Sequence, residues 1–401
     1  MGRFLAASAA SASQERMNSR RLLITLYIAA VFLYWIALYL YASTLPTYVQ
    51  SKSDNLKIVG TILSMYGLWQ AIIRLPLGIA ADWLGRRKPF LIAGFALAAL
   101  GAWLMGTANG ANGLLIGRAV TGLAAGTWVP LVAVFSSLFP PEEAVRASSL
   151  LTLVGSIARV LATSANGPLN QWGGYPLAFF LAAGAAAVAI FIVLPIRDQV
   201  RPPKRPSLKS TGALIVRRDV LLPSALSAVG QYANWAATYG FIPILAKQLG
   251  ATDITQSILL SMNLLVATFG NLIATTVVNR IGAQRMVYAT FVVVALGLAG
   301  AAFAHSLPLL FVAQFCVGLS QGIGYPVLMG MSIRHVADGE RTTAMGLHQA
   351  VYAIGMFGGP ALSGVLADAM GIRPMFAVTA AACLVIGVIA TRWLEPKPAT
   401  D

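Results

Sequence analysis

The sequence predicts an all-α membrane protein, with twelve transmembrane helices arranged as two pseudo-symmetric six-helix bundles. Three observations predict it. The composition is too apolar for a water-soluble domain, apolar stretches long enough to cross a bilayer follow one another along the chain, and residues repeat at an offset of 197.

Of 401 residues, 58% are hydrophobic and 10% charged, and the mean hydropathy is +0.75. Too little polar sequence remains to cover a surface in water. The formal net charge of +15 raises the question of nucleic acid. Position excludes it. Of the 28 Lys and Arg, 21 fall in loops and tails on one side of the expected spans, and only Lys52, Lys57, Lys247 and Arg373 fall on the other. That asymmetry predicts cytoplasmic termini in an inner or plasma membrane, with some attraction to anionic lipid. Cys316 and Cys383 lie in expected spans, far from metal-ligand spacing, and read as small apolar residues. The first apolar run follows Arg20-Arg21 and reads as a membrane anchor rather than a cleaved signal.

A bilayer core of ~30 Å needs roughly 20 apolar residues per helix. Spans are expected near 22–45, 57–81, 89–108, 112–137, 147–166 and 175–196, then near 220–246, 254–278, 286–304, 307–333, 342–366 and 372–394. This divides the chain into a tail (1–21), a first bundle (22–196), a Pro- and Arg-rich linker (197–219), a second bundle (220–394) and a tail (395–401). The repeat crosses both bundles. Pro46 and Pro243, Gly85 and Gly282, Gly167 and Gly364, Gly174 and Gly371, and Phe179 and Phe376 all stand 197 apart. In the fourth and tenth spans Gly122, Gly126 and Pro130 match Gly318, Gly322 and Pro326 at 196. Parallel repeats of this kind occur in secondary transporters, with the substrate site between the halves.

The second span runs into Gly78-Ile79-Ala80-Ala81-Asp82-Trp83-Leu84-Gly85-Arg86-Arg87-Lys88. This resembles motif A of the major facilitator superfamily, with Trp83 where a basic residue is usual. Arg118 to Gly126 resembles motif B, and Gly355 to Gly364 resembles a Gly-x-x-x-Gly-Pro-x-x-x-Gly motif that drug:proton antiporters carry in the fifth helix. Here the fifth span has Arg159, Thr163 and Ser164 at those places, which weakens the antiporter reading. The resemblance covers the chain after residue 20 and implies a transporter that works by alternating access. It also implies a conformational latch at Asp82, Gly85, Arg86 and Arg87, in which Asp82 faces the N-terminus of the eleventh helix near Thr342-Thr343. The small residues of the eleventh span read as helix-packing positions.

No Asp or Glu lies in the core of an expected span, whereas Arg74, Arg118 and Arg159 do. A charge at the bilayer centre costs at least ~2.5–3.5 kcal/mol, so such a residue faces a partner or a water-filled cavity. Arg118 and Arg159 fall at similar depth in the outer half and are candidate substrate ligands. Guanidinium groups bind carboxylates and phosphates, so an anionic or zwitterionic solute is favoured. Arg74, in the inner half, reads as a gate or snorkelling residue. The family's cavity is lined mainly by spans one, four, seven and ten. That adds Tyr34, Trp35, Gln231, Tyr232, Trp235, Gln314 and Gln321 as candidate cavity residues, with Tyr34 and its repeat mate Gln231 expected to meet at the pseudo-twofold axis. His348 is the candidate for ion coupling, by a proton, although a polar helix contact is the commoner role for such a residue.

The expected function is secondary transport of a small organic solute, with export the favoured direction, by a monomer that needs the bilayer but no cofactor or metal. A polyspecific drug:proton antiporter and a lipid or lipid-precursor flippase stay open as alternatives. No nucleophile–base pair or phosphate loop points to an enzyme or to ATP drive.

Overall fold

A computed structural model describes the backbone of residues 2–140, 143–196, 214–337 and 340–394. Side chains are described over the same ranges except at residues 2–19, Leu75, Asp82, Ala144, Val145 and Thr342. Most of the linker, the C-terminal tail and the side chain of the expected latch residue Asp82 lie outside the described residues.

In the first half, α1 spans Gly2–Tyr39, α2 Leu45–Gln50, α3 Leu56–Leu84, α4 Lys88–Gly106, α5 Ala111–Ala125, α6 Trp128–Ser136 and α7 Ala144–Val193. In the second half, α8 spans Arg218–Ala236, α9 Ile242–Gln248, α10 Asp253–Ile281, α11 Ala283–Ala302, α12 Leu307–Ile333, α13 Arg341–Met370 and α14 Ile372–Thr391. Helix α1 begins inside the stretch expected as a tail, where Ala-rich sequence supports helix without needing the bilayer.

Ten described helices are long and apolar enough to cross a membrane. One of them, α7, doubles back, and Arg218–Gln248 adds a further crossing, which makes twelve. The reversal in α7 sits at Gly173-Gly174, where Gly174 has φ 71, a conformation that side chains rarely adopt. Both ends of α7 lie near one face: Glu143, just before it, meets Arg20, and Leu194, just after it, accepts a hydrogen bond from Lys88. We call this the terminal face, because α1 enters the bundle there and α14 ends there, and the opposite one the far face.

Helix starts and stops follow local chemistry. Asn55 caps α3 by accepting from the Ile58 N–H at 3.0 Å, and Thr252 caps α10 by accepting from the Thr255 N–H at 3.2 Å. Gly85 ends α3 in the left-handed region, at φ 63. Helix α13 starts at Arg341, with Glu340 at the cap position and no side-chain capping bond, one residue before the expected Thr342-Thr343 start.

The repeat in sequence is a repeat in structure. Adding 197 to the ends of α3 gives the ends of α10. Within the first half α1 packs on α7, and α4 on α5 and α7; within the second, α8 packs on α13, and α12 on α10 and α11. The halves meet along two seams, α3 with α13 and α7 with α10, which exchange under the pseudo-twofold. Large apolar side chains such as Leu161, Phe191, Phe269 and Leu296 are exposed on the outside, where a bilayer would solvate them. The protein is a multi-pass membrane protein.

Candidate functional site

A cavity of about 290 Å³ lies between the halves. Helical spacing explains which side chains reach it. On α3, Tyr66, Gln70 and Arg74 stand four residues apart on one face; on α7, Thr152, Ser156 and Arg159 do nearly the same. From α8 come Gln231, Asn234 and Trp235, and from α12 Gln321 and Tyr325. The walls are thus aromatic, amide and guanidinium. Among the described residues that line the cavity, none is an Asp or a Glu.

Arg159 is half-buried in the wall. Its Nε donates to the Gly155 carbonyl at 3.1 Å and its Nη2 to Ser156 Oγ at 3.2 Å. The guanidinium carbon stands 4.8 Å from the Trp35 ring centroid and 5.8 Å from that of Tyr39. Neutral contacts fix its direction but leave its charge uncompensated. The Trp35 indole can lie this close to α7 because residue 155 is glycine; a Cβ there would stand 2.6 Å from the indole nitrogen. Trp35 also packs edge-on against Trp128 and Tyr39.

Arg74, read from sequence as a gate or snorkelling residue, also lines the cavity. It donates to the Tyr352 hydroxyl at 2.5 Å and to Gln70 Oε1 at 2.6 Å, and its Nε is buried without a partner. The Tyr352 contact crosses the α3–α13 seam, so Arg74 both faces the cavity and ties the halves.

Arg118 sits elsewhere. It is 4% exposed, stands 4.3 Å from the Tyr66 ring centroid, and is absent from the cavity wall. Tyr66 in turn stacks on Trp235 at 5.4 Å, so Arg118 lies one aromatic layer behind the wall. The other candidates divide the same way. Trp35, Gln231, Trp235 and Gln321 line the cavity. Tyr34 does not: its hydroxyl donates to the Ala125 carbonyl at 2.9 Å, away from Gln231. Tyr232 points to α13, with its hydroxyl 3.3 Å from Ser363 Oγ. Gln314 is buried beside Thr238, to whose hydroxyl it donates at 3.2 Å.

The cavity is closed toward the far face. Tyr39 meets Tyr239 edge-on, and Trp235 stacks on Tyr239 at 4.5 Å. Tyr239 lies in a π-helical turn, Ala237–Phe241, that follows α8. Beyond the aromatics, polar bonds cross both seams. Ser257 Oγ accepts from the Gly167 N–H at 2.7 Å, and Asp253 accepts from Asn170 at 3.0 Å. On the other seam Asp368 accepts from the Leu56 N–H at 3.2 Å.

These far-face residues carry a signal that a search for buried charges passes over. Gly364, Asp368, Gly371 and Arg373 have the same spacing as Gly78, Asp82, Gly85 and Arg87. The motif occurs twice, once at the terminal end of α3 and once at the far end of α13. Of the first copy, Gly85 forms the helix cap, Arg86 is exposed, and Arg87 donates to the Ala133 carbonyl at 3.1 Å.

His348 is fully buried, with Nδ1 3.0 Å from Ser224 Oγ. The Ser224 hydroxyl is also 2.6 Å from the Val220 carbonyl, to which it can donate. The His348 Nε2 is buried with no partner, and Tyr325 and Tyr352 flank the ring edge-on. No metal-holding cluster of His, Cys, Asp and Glu occurs among the described residues.

Two bundles of apolar helices thus surround a polar central cavity whose far side is bridged by aromatic and polar contacts. The chain belongs to the Major Facilitator Superfamily, whose family model matches residues 27–229 and 224–401. An uncharacterised transporter of Buchnera aphidicola subsp. Schizaphis graminum is 26% identical over 180 residues, 44% of this chain and 46% of that one. The chain thus spans about half the length of the first curated relatives it matches. The purine ribonucleoside efflux pump NepI of Escherichia coli O127:H6 is 23% identical over 326 residues, 78% of each chain. Among solved structures, a bacterial homologue of the human lysosomal transporter Spinster, inward-facing and unoccupied, superposes with a TM-score of 0.79 at 15% identity. It covers 95% of this chain and 99% of that one, a likeness of fold.

Proposed function

We propose that the protein carries a small organic anion or zwitterion across the membrane by alternating access. The observation that supports this is the presence of Arg74 and Arg159 in the lining of one cavity, with no carboxylate among the described lining residues to neutralise them. A guanidinium held by neutral partners in a partly dry site favours an anion. The aromatic and amide side chains around it suit a flat organic body with hydrogen-bonding edges. The bias of Lys and Arg toward the terminal face favours a cytoplasmic placing of that face. Export is the direction we favour, on the strength of a low-identity relative named as an efflux pump. In this reading the motif around Asp82, Gly85, Arg86 and Arg87 closes the terminal face in the other state. His348, wedged against Ser224 with no acid bonded to it among the described residues, has a structural rather than a coupling role.

The test is a thermal-shift screen of purified protein with aromatic carboxylates, their neutral amides, amino acids and lipophilic cations at matched ionic strength. A ligand at 100 times its Kd adds about 2.7 kcal/mol of stability. Carboxylates should stabilise the parent and their amides should not, and Arg159→Gln should abolish the difference. Equal stabilisation of parent and variant by lipophilic cations would overturn the anion reading and put multidrug transport in its place.

A further inference from the structure

A second recess lies on the terminal face, outside the transport pathway, in the groove between α1 and the start of α7. Its volume is about 620 Å³. Arg20, Arg21 and Arg146 form its outer end, and Ile24, Leu150 and Leu153 its floor. The two helices run in the same direction from the terminal face, so both present arginine first and apolar side chains a turn or two deeper. At 1.5 Å per residue, Leu153 lies about 10 Å further into the membrane than Arg146.

The three arginines are not equivalent. Arg20 is engaged: its Nε donates to the Leu138 carbonyl at 3.0 Å, it stands 3.8 Å from Glu143, and it lies over Phe139 at 5.5 Å. It fastens the loop before α7 onto α1. The side chains of Arg21 and Arg146 are exposed and make no hydrogen bond or ion pair among the described residues. Among the described residues, three guanidinium groups stand against one carboxylate at the outer end of the groove, at the first residues of the apolar spans Arg20–Tyr39 and Arg146–Val193.

We infer that this groove is a binding site for an anionic phospholipid, with the phosphate held between Arg21 and Arg146 and an acyl chain lying on Ile24, Leu150 and Leu153. Charge selects the headgroup, since a zwitterionic lipid brings its own cation to the arginines. The apolar floor selects a lipid over free phosphate. Basic recesses between transmembrane helices recognise acidic headgroups in this way. Helix α7 carries the groove on one face and Thr152, Ser156 and Arg159 of the cavity on another, so a lipid there would brace a helix that lines the transport site. The inference stands apart from the choice of transported solute.

Native mass spectrometry of the full chain, titrated in neutral detergent with dioleoyl phosphatidylglycerol or dioleoyl phosphatidylcholine, tests it. The expected result is one saturable phosphatidylglycerol site. The double variant Arg21→Gln/Arg146→Gln should weaken it about thirtyfold, from two arginine contacts of the size usual at acidic membranes. A control with the same charge change in the second half, Arg285→Gln/Arg392→Gln, should bind as the parent does. Leu153→Glu, which keeps every arginine, should also weaken binding. Equal binding of phosphatidylcholine, equal loss in the control, or full competition by inorganic phosphate would each overturn the proposal.

Discussion

The carboxylate of Asp368 accepts a hydrogen bond from the backbone N–H of Leu56 at 3.2 Å, across the seam between the two halves. Leu56 opens α3, so the acid of one half occupies the positive end of a helix in the other. Just inside this contact, Gly60 and Gly364 let α3 and α13 touch backbone to backbone; a Cβ on Gly60 would collide with the Pro360 carbonyl. Asp368 and Asp82 share a motif and lie on the same pair of helices, α3 and α13, at opposite faces.

Asp368→Asn should loosen the far face. An exposed anion at a helix N-terminus contributes about 0.3–1 kcal/mol, so the far-open population should rise about two- to fivefold. Spin labels at Asn109→Cys and His305→Cys, both exposed on the far face in different halves, would report it as a longer distance component. An unchanged distribution would remove Asp368 from the closure.

Arg118 and Arg159 should separate in their effects. Arg159→Gln removes a charge from the cavity wall and should raise the Kd for an anionic ligand about tenfold or more. Arg118→Met keeps the volume behind Tyr66 and should change that Kd less than threefold, because Arg118 lies behind the cavity wall and does not line it. Calorimetric titration of both variants decides it, and a larger loss in Arg118→Met would place that residue at the ligand.

Gly155→Val should damage the site without altering its charge. Its side chain overlaps the Trp35 indole, and overpacking of this kind costs about 1–3 kcal/mol. Ligand affinity should fall, and Trp35→Phe in the same chain should recover part of it by vacating the space. Failure of the second substitution to help would show that the indole is not what Gly155 accommodates.

His348→Asn should lower thermal stability by about 1 kcal/mol, the usual size of a lost buried hydrogen bond. The pH profile of transport in proteoliposomes should keep its shape. A displaced profile with unchanged stability would restore His348 as a proton-coupling residue.

The elements were legible in the sequence, and the rotation of each helix was not. Apolar length and the repeat located α3 and α10 to within a few residues. In a water-soluble helix, polarity marks the outward face. Here the lipid-facing and packed faces are both apolar, so only the polar residues label a side. Tyr34 and Trp35 are adjacent, equally aromatic and at one depth, yet one bonds to Ala125 and the other lines the cavity. Arg118 and Arg159 looked alike for the same reason. Asp253 and Asp368 read in sequence only as acids at helix ends, where acids are common; pairing across the seam distinguishes them.

If the protein works by the proposed alternating access, the two guanidinium groups of the cavity also couple it to voltage. When the cavity switches faces, water and ions reach Arg74 and Arg159 from the other side, and the potential drop falls across a different part of the protein. A charge carried through the whole field changes energy by about 2.3 kcal/mol per 100 mV. In a cell with a negative interior, the empty carrier is pulled toward the state in which its cavity communicates with the cytoplasm. A bound monoanion cancels part of that pull, so the loaded carrier turns outward against a weaker electrical opposition than the empty one.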